Sequence, residues 1–207
     1  MTNTKSLVLG IGSKELTKKF YDNWSNDYDR TLADWNYKIP LKCANLLKIK
    51  LKCEPRRVLD LACGTGLFGN ELKKIYNQSN LYGSDISNAS LLIAKQKKIY
   101  DNLKCSSFEK IVKYNFKFDL ISLIGAMTYV NNFNKLFDNV YLNLKLKGYF
   151  IFSHRIDLWK QNNFDKVLLH NENKFKVKYK SRPMLYLPSN SDFQKKIKVR
   201  IILLQKY

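Results

Sequence analysis

The chain has 207 residues, 45% of them hydrophobic, which is enough apolar material for the core of one α/β domain, and no run of about 18 apolar residues is present to span a bilayer. Thirty-seven Lys and Arg against 17 Asp and Glu give a net charge of +20, a balance that attracts phosphate backbones. Only Arg30, Arg56, Arg57, Arg155, Arg182 and Arg200 are arginines, and a dispersed excess of lysine reads as a solvated surface, so nucleic acid is not the favoured partner.

The start, Met1-Thr2-Asn3-Thr4-Lys5, lacks the apolar centre of a signal peptide, and a cytoplasmic location is expected. Residues 14–30 read as a helix in which Leu16, Phe20, Tyr21, Trp24 and Tyr28 recur at three- and four-residue steps, and residues 38–49 as a second helix with Leu41, Ala44 and Leu47. Strands near 57–61, 81–85, 103–107, 117–124 and 148–154 then alternate with helices near 67–76, 88–99 and 133–145, the rhythm of parallel βαβ units. Lys174 to Tyr179 and Lys195 to Leu204 break that rhythm and read as strands, joined by an extended connection, Arg182 to Pro188, pinned by two prolines. No linker or repeat divides the chain, which predicts a single domain. The four cysteines, Cys43, Cys53, Cys63 and Cys105, have no metal-knuckle spacing and are expected as reduced thiols with no metal site.

The stretch richest in chemistry is Val58-Leu59-Asp60-Leu61-Ala62-Cys63-Gly64-Thr65-Gly66-Leu67-Phe68-Gly69, an apolar strand, an acid and a glycine-rich turn into a helix. Gly64 and Gly66 let the backbone approach a ligand closely, and the helix start offers unpaired N–H groups. Gly64-Thr65-Gly66-Leu67-Phe68-Gly69 satisfies the dinucleotide pattern, and Asp85, 19 residues beyond Gly66, stands where a ribose-binding acid is expected. Asp60 argues the other way, because an anion just before the turn repels a pyrophosphate and suits a cationic ligand.

With Asp60 included, Val58 to Gly66 resembles the first motif of class I S-adenosylmethionine-dependent methyltransferases. Tyr82-Gly83-Ser84-Asp85-Ile86-Ser87 resembles their second strand with its ribose-binding acid, Phe118 to Ile124 their fourth strand, and Leu146 to Phe152 the turn and strand after the fourth crossover helix. The likeness spans residues 20 to 155, and the remainder resembles the tail of small-molecule members. It implies an α/β fold, a Rossmann-like doubly wound and mostly parallel sheet with an antiparallel terminal strand and two N-terminal helices as a lid. Residues 1–50 would form the lid, 55–155 the cofactor-binding core, and 156–207 the edge strands and a substrate-side loop. The implied cofactor is S-adenosyl-L-methionine, and the implied reaction is methyl transfer to an oxygen or nitrogen of a small-molecule acceptor. An RNA or other nucleic-acid methyltransferase, an NAD(P)-dependent oxidoreductase and a non-catalytic nucleotide binder are the alternatives.

The resemblance also implies roles for particular residues. Asp60 and the Ala62 carbonyl would hold the methionine amino group, with Cys63, Gly64, Thr65 and Gly66 forming the turn around it. Relatives often have Gly where Ala62 stands, and an alanine there is expected at negative φ. Asp85 would accept the ribose hydroxyls, its other reading being an N-cap for the following helix. Ile86 and Ile124 would pack on the cofactor. Ser107 takes the place of a common adenine-binding Asp, so adenine would be read by its hydroxyl and the Phe108 N–H, or by Glu109 in substitution. Tyr21, Trp24 and Tyr28 would face the sulfonium from the lid, against the alternative that this aromatic stripe only packs on the sheet. Tyr129 and His154 are the candidates for proton transfer, and Arg155 or Arg182 for holding an acidic acceptor. Gly125 to Val130 lacks the Asn-Pro-Pro-Tyr signature of enzymes that methylate DNA adenine or glutamine. Acceptor contacts are expected from residues 1–35, 125–132 and 155–190.

Overall fold

The computed structural model describes residue 7 and residues 12–110, 113–193 and 196–207. Positions 1–6 and 8–11 of the expected lid, and the start of the last expected strand at Lys195, lie outside the described residues. Helices α1 (Lys14–Asp34) and α2 (Ile39–Lys50) precede β1 (Arg57–Leu61), α3 (Leu67–Lys73), β2 (Asn80–Asp85), α4 (Asn88–Gln96) and β3 (Asn102–Cys105). There follow β4 (Phe118–Leu123), a 3-10 turn (Met127–Tyr129), α5 (Phe133–Asn143) and β5 (Leu144–Arg155). The chain finishes with α6 (Ile156–Gln161), α7 (Phe164–His170), β6 (Phe175–Lys180), β7 (Met184–Leu185) and β8 (Lys198–Lys206).

The strands form one mixed sheet in the order β3-β2-β1-β4-β5-β8-β6, with β7 paired to β8 beside that path. Strands β1 to β5 are mutually parallel, whereas β8 runs antiparallel to β5, β6 and β7. The expected parallel core and antiparallel terminal strand are therefore present. Both sheet faces are covered, which is why β1 and β4 read as nearly unbroken apolar runs. Leu59, Leu61, Ile121 and Leu123 join Phe137, Phe150, Phe152 and Phe164 on the face under α5 and α7. Val58 and Leu120 face Cys43, Leu47, Phe68 and Leu72 of α2 and α3. At about 1.5–3 kcal/mol for each fully buried large apolar side chain, these two layers dominate the stability of the fold.

Several boundaries moved. Helix α1 starts where Ser13 caps it, its side chain accepting the Leu16 N–H at 3.1 Å, and continues past residue 30 because Leu32 is buried. Helices α6 and α7 stand where a loop was expected; at six and seven residues they are too short to show a period, and Trp159 and Phe164 anchor them in the core. β5 begins at Leu144, inside the helix expected to reach 145, after which the register shifts around Lys147, whose φ is +62°. β3 ends at Cys105, so Ser107 and Phe108 lie in the loop after it. No described helix is long and apolar enough to cross a membrane.

In this order the connections from β1 and β4 leave on opposite sides of the sheet. Their C-terminal ends, with that of β2, open a crevice of the kind in which α/β proteins bind ligands.

Candidate functional site

The turn after β1 is built from three residues in left-handed conformation, Ala62 at φ +51°, Gly64 at +54° and Gly66 at +89°. The expectation of negative φ at Ala62 is thus corrected: the chain reverses here so tightly that the alanine accepts a conformation costing about 1–2 kcal/mol for a residue with a Cβ. The turn is tied to β2 from two sides. The Cys63 N–H donates to the Ser84 carbonyl at 3.0 Å, and the Gly64 N–H donates to Asp85 Oδ2 at 2.8 Å.

Asp85 holds the ends of two elements together. Its other oxygen, Oδ1, accepts the Ser87 N–H at 2.8 Å. Burial raises the Asp85 carboxyl, opposed by these backbone donors. The alternative of Asp85 as N-cap does not hold, because Ser87 caps α4, its side chain accepting the Ser90 N–H.

Asp85 and Gly64 line a cavity of about 290 Å³, close to the lower end of the roughly 300–1,000 Å³ usual for small-molecule sites. Beyond the ends of β2 and β3 it is lined by Ile86, Ser107, Phe108 and Glu109, and beyond β4 by Ile124. Ser107 is already engaged, its Oγ accepting the Glu109 N–H at 3.2 Å. The cavity is roofed by Tyr21 and Tyr28 of α1 and walled by Tyr129. The hydroxyls of Tyr21 and Tyr129 are hydrogen-bonded at 2.8 Å. Burial raises both of these phenols and that of Tyr28, so all three remain protonated hydrogen-bonding groups at neutral pH.

A smaller recess of about 40 Å³ shares Tyr28, Ala62, Gly64 and Ile124 with the main cavity. It adds Asp60, Cys63 and Thr65, and also Tyr37. Asp60 is 1% exposed, and its oxygens accept hydrogen bonds from Ser122 Oγ and Tyr100 Oη, each at 2.7 Å. Burial pushes its carboxyl up to about 6. Thr65 Oγ1 donates to Asp29 of α1, and Asp29 also pairs with Lys97 at 2.5 Å. Asp22 of the same helix accepts from Ser87 Oγ at 2.7 Å and from the Ala89 N–H at 3.3 Å. The N-terminal helix is therefore fastened to the turn and to the start of α4, directly over the crevice.

The structure thus gathers fourteen of the residues singled out from the sequence around the cavity and its adjoining recess, and it leaves others elsewhere. Trp24 is buried behind Tyr28, their ring centroids 4.8 Å apart, and supports the roof without lining it. Gly66 faces away from the cavity, toward the Tyr100 ring. His154 is displaced as a candidate base: its imidazole sits among Phe133, Trp159 and Phe164, outside the cavity lining. Arg155 is buried and bonded to Asp157 and the Leu7 carbonyl, and Arg182 is exposed; neither lines the cavity. Sequence reasoning missed Tyr37, Tyr100 and Ser122. Nothing in the sequence near residues 58–69 points to them; in the structure Gly125, at φ +82°, leaves room for Tyr37, since an added Cβ would come within 2.8 Å of the Tyr37 hydroxyl.

Residues 54–192 match the model of a family described as a methyltransferase domain. Among curated proteins, the chain is 32% identical over 123 residues to Methyltransferase-like protein 27 of Homo sapiens, covering 56% of this chain and 50% of that protein. It is 24% identical over 144 residues to a malonyl-[acyl-carrier protein] O-methyltransferase of Bacillus cereus, covering 68% and 53%. The chain spans about half the length of the curated relatives it matches. Among solved structures, the N-methyltransferase NodS of Bradyrhizobium japonicum in complex with S-adenosyl-L-homocysteine superposes with a TM-score of 0.62 at 14% identity, covering 100% of this chain and 99% of that one. An O-methyltransferase of Brevibacillus brevis, also with S-adenosyl-L-homocysteine, gives a TM-score of 0.62 at 15% identity, covering 82% and 72%. At these identities the two structures show a shared fold.

Proposed function

The chain belongs to the class I S-adenosylmethionine-dependent methyltransferases, and from that premise we propose that it transfers a methyl group to an oxygen or nitrogen of a small-molecule acceptor. The observation that carries this reading is the Asp85 carboxylate at the cavity wall. Each of its oxygens accepts one backbone N–H and keeps a further lone pair, which fits the two hydroxyls of a ribose. The rest of the donor set fits the same ligand. Ile86 and Phe108 offer apolar faces for an adenine, with the Ser107 hydroxyl and Phe108 N–H beside them. At the opposite end, Asp60 offers an anion to an ammonium group, and the Ala62 carbonyl a second acceptor.

When bound, S-adenosylmethionine supplies a methyl group activated by its sulfonium leaving group. What remains for the chain is alignment, exclusion of water and, where the acceptor carries a proton, somewhere for it to go. Tyr21, Tyr28 and Tyr129 form an aromatic wall that attracts a cationic centre. Helix α1, which carries Tyr21 and Tyr28 and is latched through Asp22 and Asp29, closes the crevice against solvent. Alignment of this kind lowers a transfer barrier by about 7–11 kcal/mol. The Tyr21–Tyr129 pair keeps one hydroxyl proton uncommitted, enough to orient an acceptor oxygen or nitrogen.

The names of the relatives support oxygen and nitrogen acceptors alike, and the dispersed lysines give no support to a nucleic-acid groove. The four free cysteines support placing the protein in the reducing cytoplasm. Calorimetric titration of the full chain with S-adenosylmethionine and S-adenosylhomocysteine, with NAD(H) as control and Asp85→Ala beside the wild type, tests the reading. Micromolar binding of the first two, lost in the variant, is expected. Preference for NAD(H), or no binding of either sulfur ligand, overturns it.

A further inference from the structure

The three inner strands bracket Asp60 in an unusual way. Its register neighbours are Gly83 on β2 and Ser122 on β4, so all three residues point to the same face of the sheet. Ser122 reaches one carboxylate oxygen directly. On the other side Gly83 has no side chain, and the ring of Tyr100, arriving from the segment before β3, crosses the space a side chain would fill. A Cβ at Gly83 would lie 3.0 Å from Tyr100 Cε1. The same ring abuts two more glycines: a Cβ at Gly66 would stand 3.0 Å from its Cε2, and one at Gly69 2.7 Å from its Cζ and closer still to its hydroxyl. Three of the eight glycines in the chain therefore clear a channel for one tyrosine, which ends in a 2.7 Å hydrogen bond to Asp60 Oδ2.

This accounts for the last glycine of Gly64-Thr65-Gly66-Leu67-Phe68-Gly69. In a dinucleotide site the third glycine serves close packing of helix on strand. Here Gly69 makes room for a side chain that reaches under the turn to an acid.

We infer that Tyr100 and Ser122 are positioning residues for Asp60, holding its carboxylate from either side so that it meets the ammonium group of the cofactor's methionine end in the recess beneath Tyr28 and Tyr37. The inference rests on the methyltransferase reading. A buried carboxylate with only neutral donors has an unmet demand for positive charge, and among the described residues no Lys, Arg or His pairs with Asp60. The titratable groups around it are Tyr100, Cys63 in the turn, Asp85 at the end of β2, Cys43 of α2, and Tyr28 and Tyr37, which share its recess, none of them cationic. Two hydroxyl donors keep the acid ionised at neutral pH in spite of its burial, and they fix the direction of its free lone pairs.

The test is calorimetric titration of the full chain between pH 5 and 8 with S-adenosylhomocysteine, which carries the amino-acid end, and with 5′-methylthioadenosine, which lacks it. Wild type, Tyr100→Phe and Ser122→Ala are compared. Each variant is expected to weaken S-adenosylhomocysteine about tenfold, the effect of one hydrogen bond to a charged group. Affinity for methylthioadenosine should stay within twofold. The pH below which S-adenosylhomocysteine affinity falls should move upward in both variants, because a lost donor makes Asp60 easier to protonate. If Tyr100→Phe does not fold, the same ligand-selective loss in Ser122→Ala carries the test. Equal loss of both ligands, or loss of neither, in a wild type that binds S-adenosylhomocysteine overturns the inference alone. A wild type that binds neither ligand overturns the methyltransferase reading instead.

Discussion

Replacing His154 by Phe should make the protein more resistant to acid, by about 2 kcal/mol between pH 7 and 4.5. The imidazole is 1% exposed, lies 4.7 Å from the Phe164 ring centroid, and has no hydrogen-bond partner at either nitrogen among the described residues. Burial pushes it from 6.5 down to about 4. Between those values the unfolded chain binds the proton and the native chain does not. Stability from this group is therefore complete above about pH 6.5 and is lost as the pH falls toward 4. From pH 7 to 4.5 the loss is about 2 kcal/mol. Asp60 works in the opposite direction: its carboxyl is raised from 3.8 to about 6, so the native state binds the extra proton and gains stability as the pH falls through that interval. The two contributions nearly cancel in the wild type, which makes the raw pH profile uninformative. Their separation comes from the difference between wild type and His154→Phe. Urea unfolding followed by circular dichroism at pH 7 and 4.5 should show the variant gaining about 2 kcal/mol on the wild type over that range. Its affinity for S-adenosylhomocysteine at pH 7 should be unchanged. Parallel behaviour within about 0.5 kcal/mol, close to the uncertainty of such measurements, would refute the account of His154 as a neutral core residue.

Two further variants probe the turn and helix α1. Ala62→Gly removes the cost of a left-handed alanine but frees the unfolded chain, and a net gain of about 0.5–1 kcal/mol is expected, read as a higher urea midpoint with unchanged slope; a lower midpoint would show that the Ala62 methyl contributes packing that the backbone argument omits. The double change Asp22→Ala/Asp29→Ala cuts the latch of α1 to the turn and to α4. Because both carboxylates are partly exposed, at 25% and 37%, the loss should be about 1–2 kcal/mol, visible as roughly 5–30-fold faster amide exchange across Lys14–Asp34 with β1 to β5 unaffected. Exchange that accelerates equally in the sheet would mean that α1 belongs to the global folding unit and is no separate lid.

What could be read from the sequence has a common character. The strands, the glycine turn and Asp85 at the end of β2 all declare themselves within a few residues, because alternation, apolar runs and left-handed turns are local constraints on the backbone. The order of elements then leaves few topologies, and the crevice beyond β1, β2 and β4 follows from that order. Boundaries failed where the local pattern was too short to count, as in α6 and α7, or where a bulge altered the register, as at the start of β5.

The contents of the crevice were decided differently. Ala62 is left-handed because Cys63 and Gly64 must both reach β2, and that pull is set by the neighbouring strand. His154 occupies the strand position expected of a proton carrier, yet α6 and α7 fold back and bury it among aromatic rings. Tyr37, Tyr100 and Ser122 meet the site from separate elements, and no periodicity links them to residues 58–69. The sequence by itself determined the scaffold and the acids at its strand ends, since those depend on contacts close along the chain. Only the tertiary structure decided which side chains stand behind those acids and which are shut away, because that is settled by packing between segments tens of residues apart.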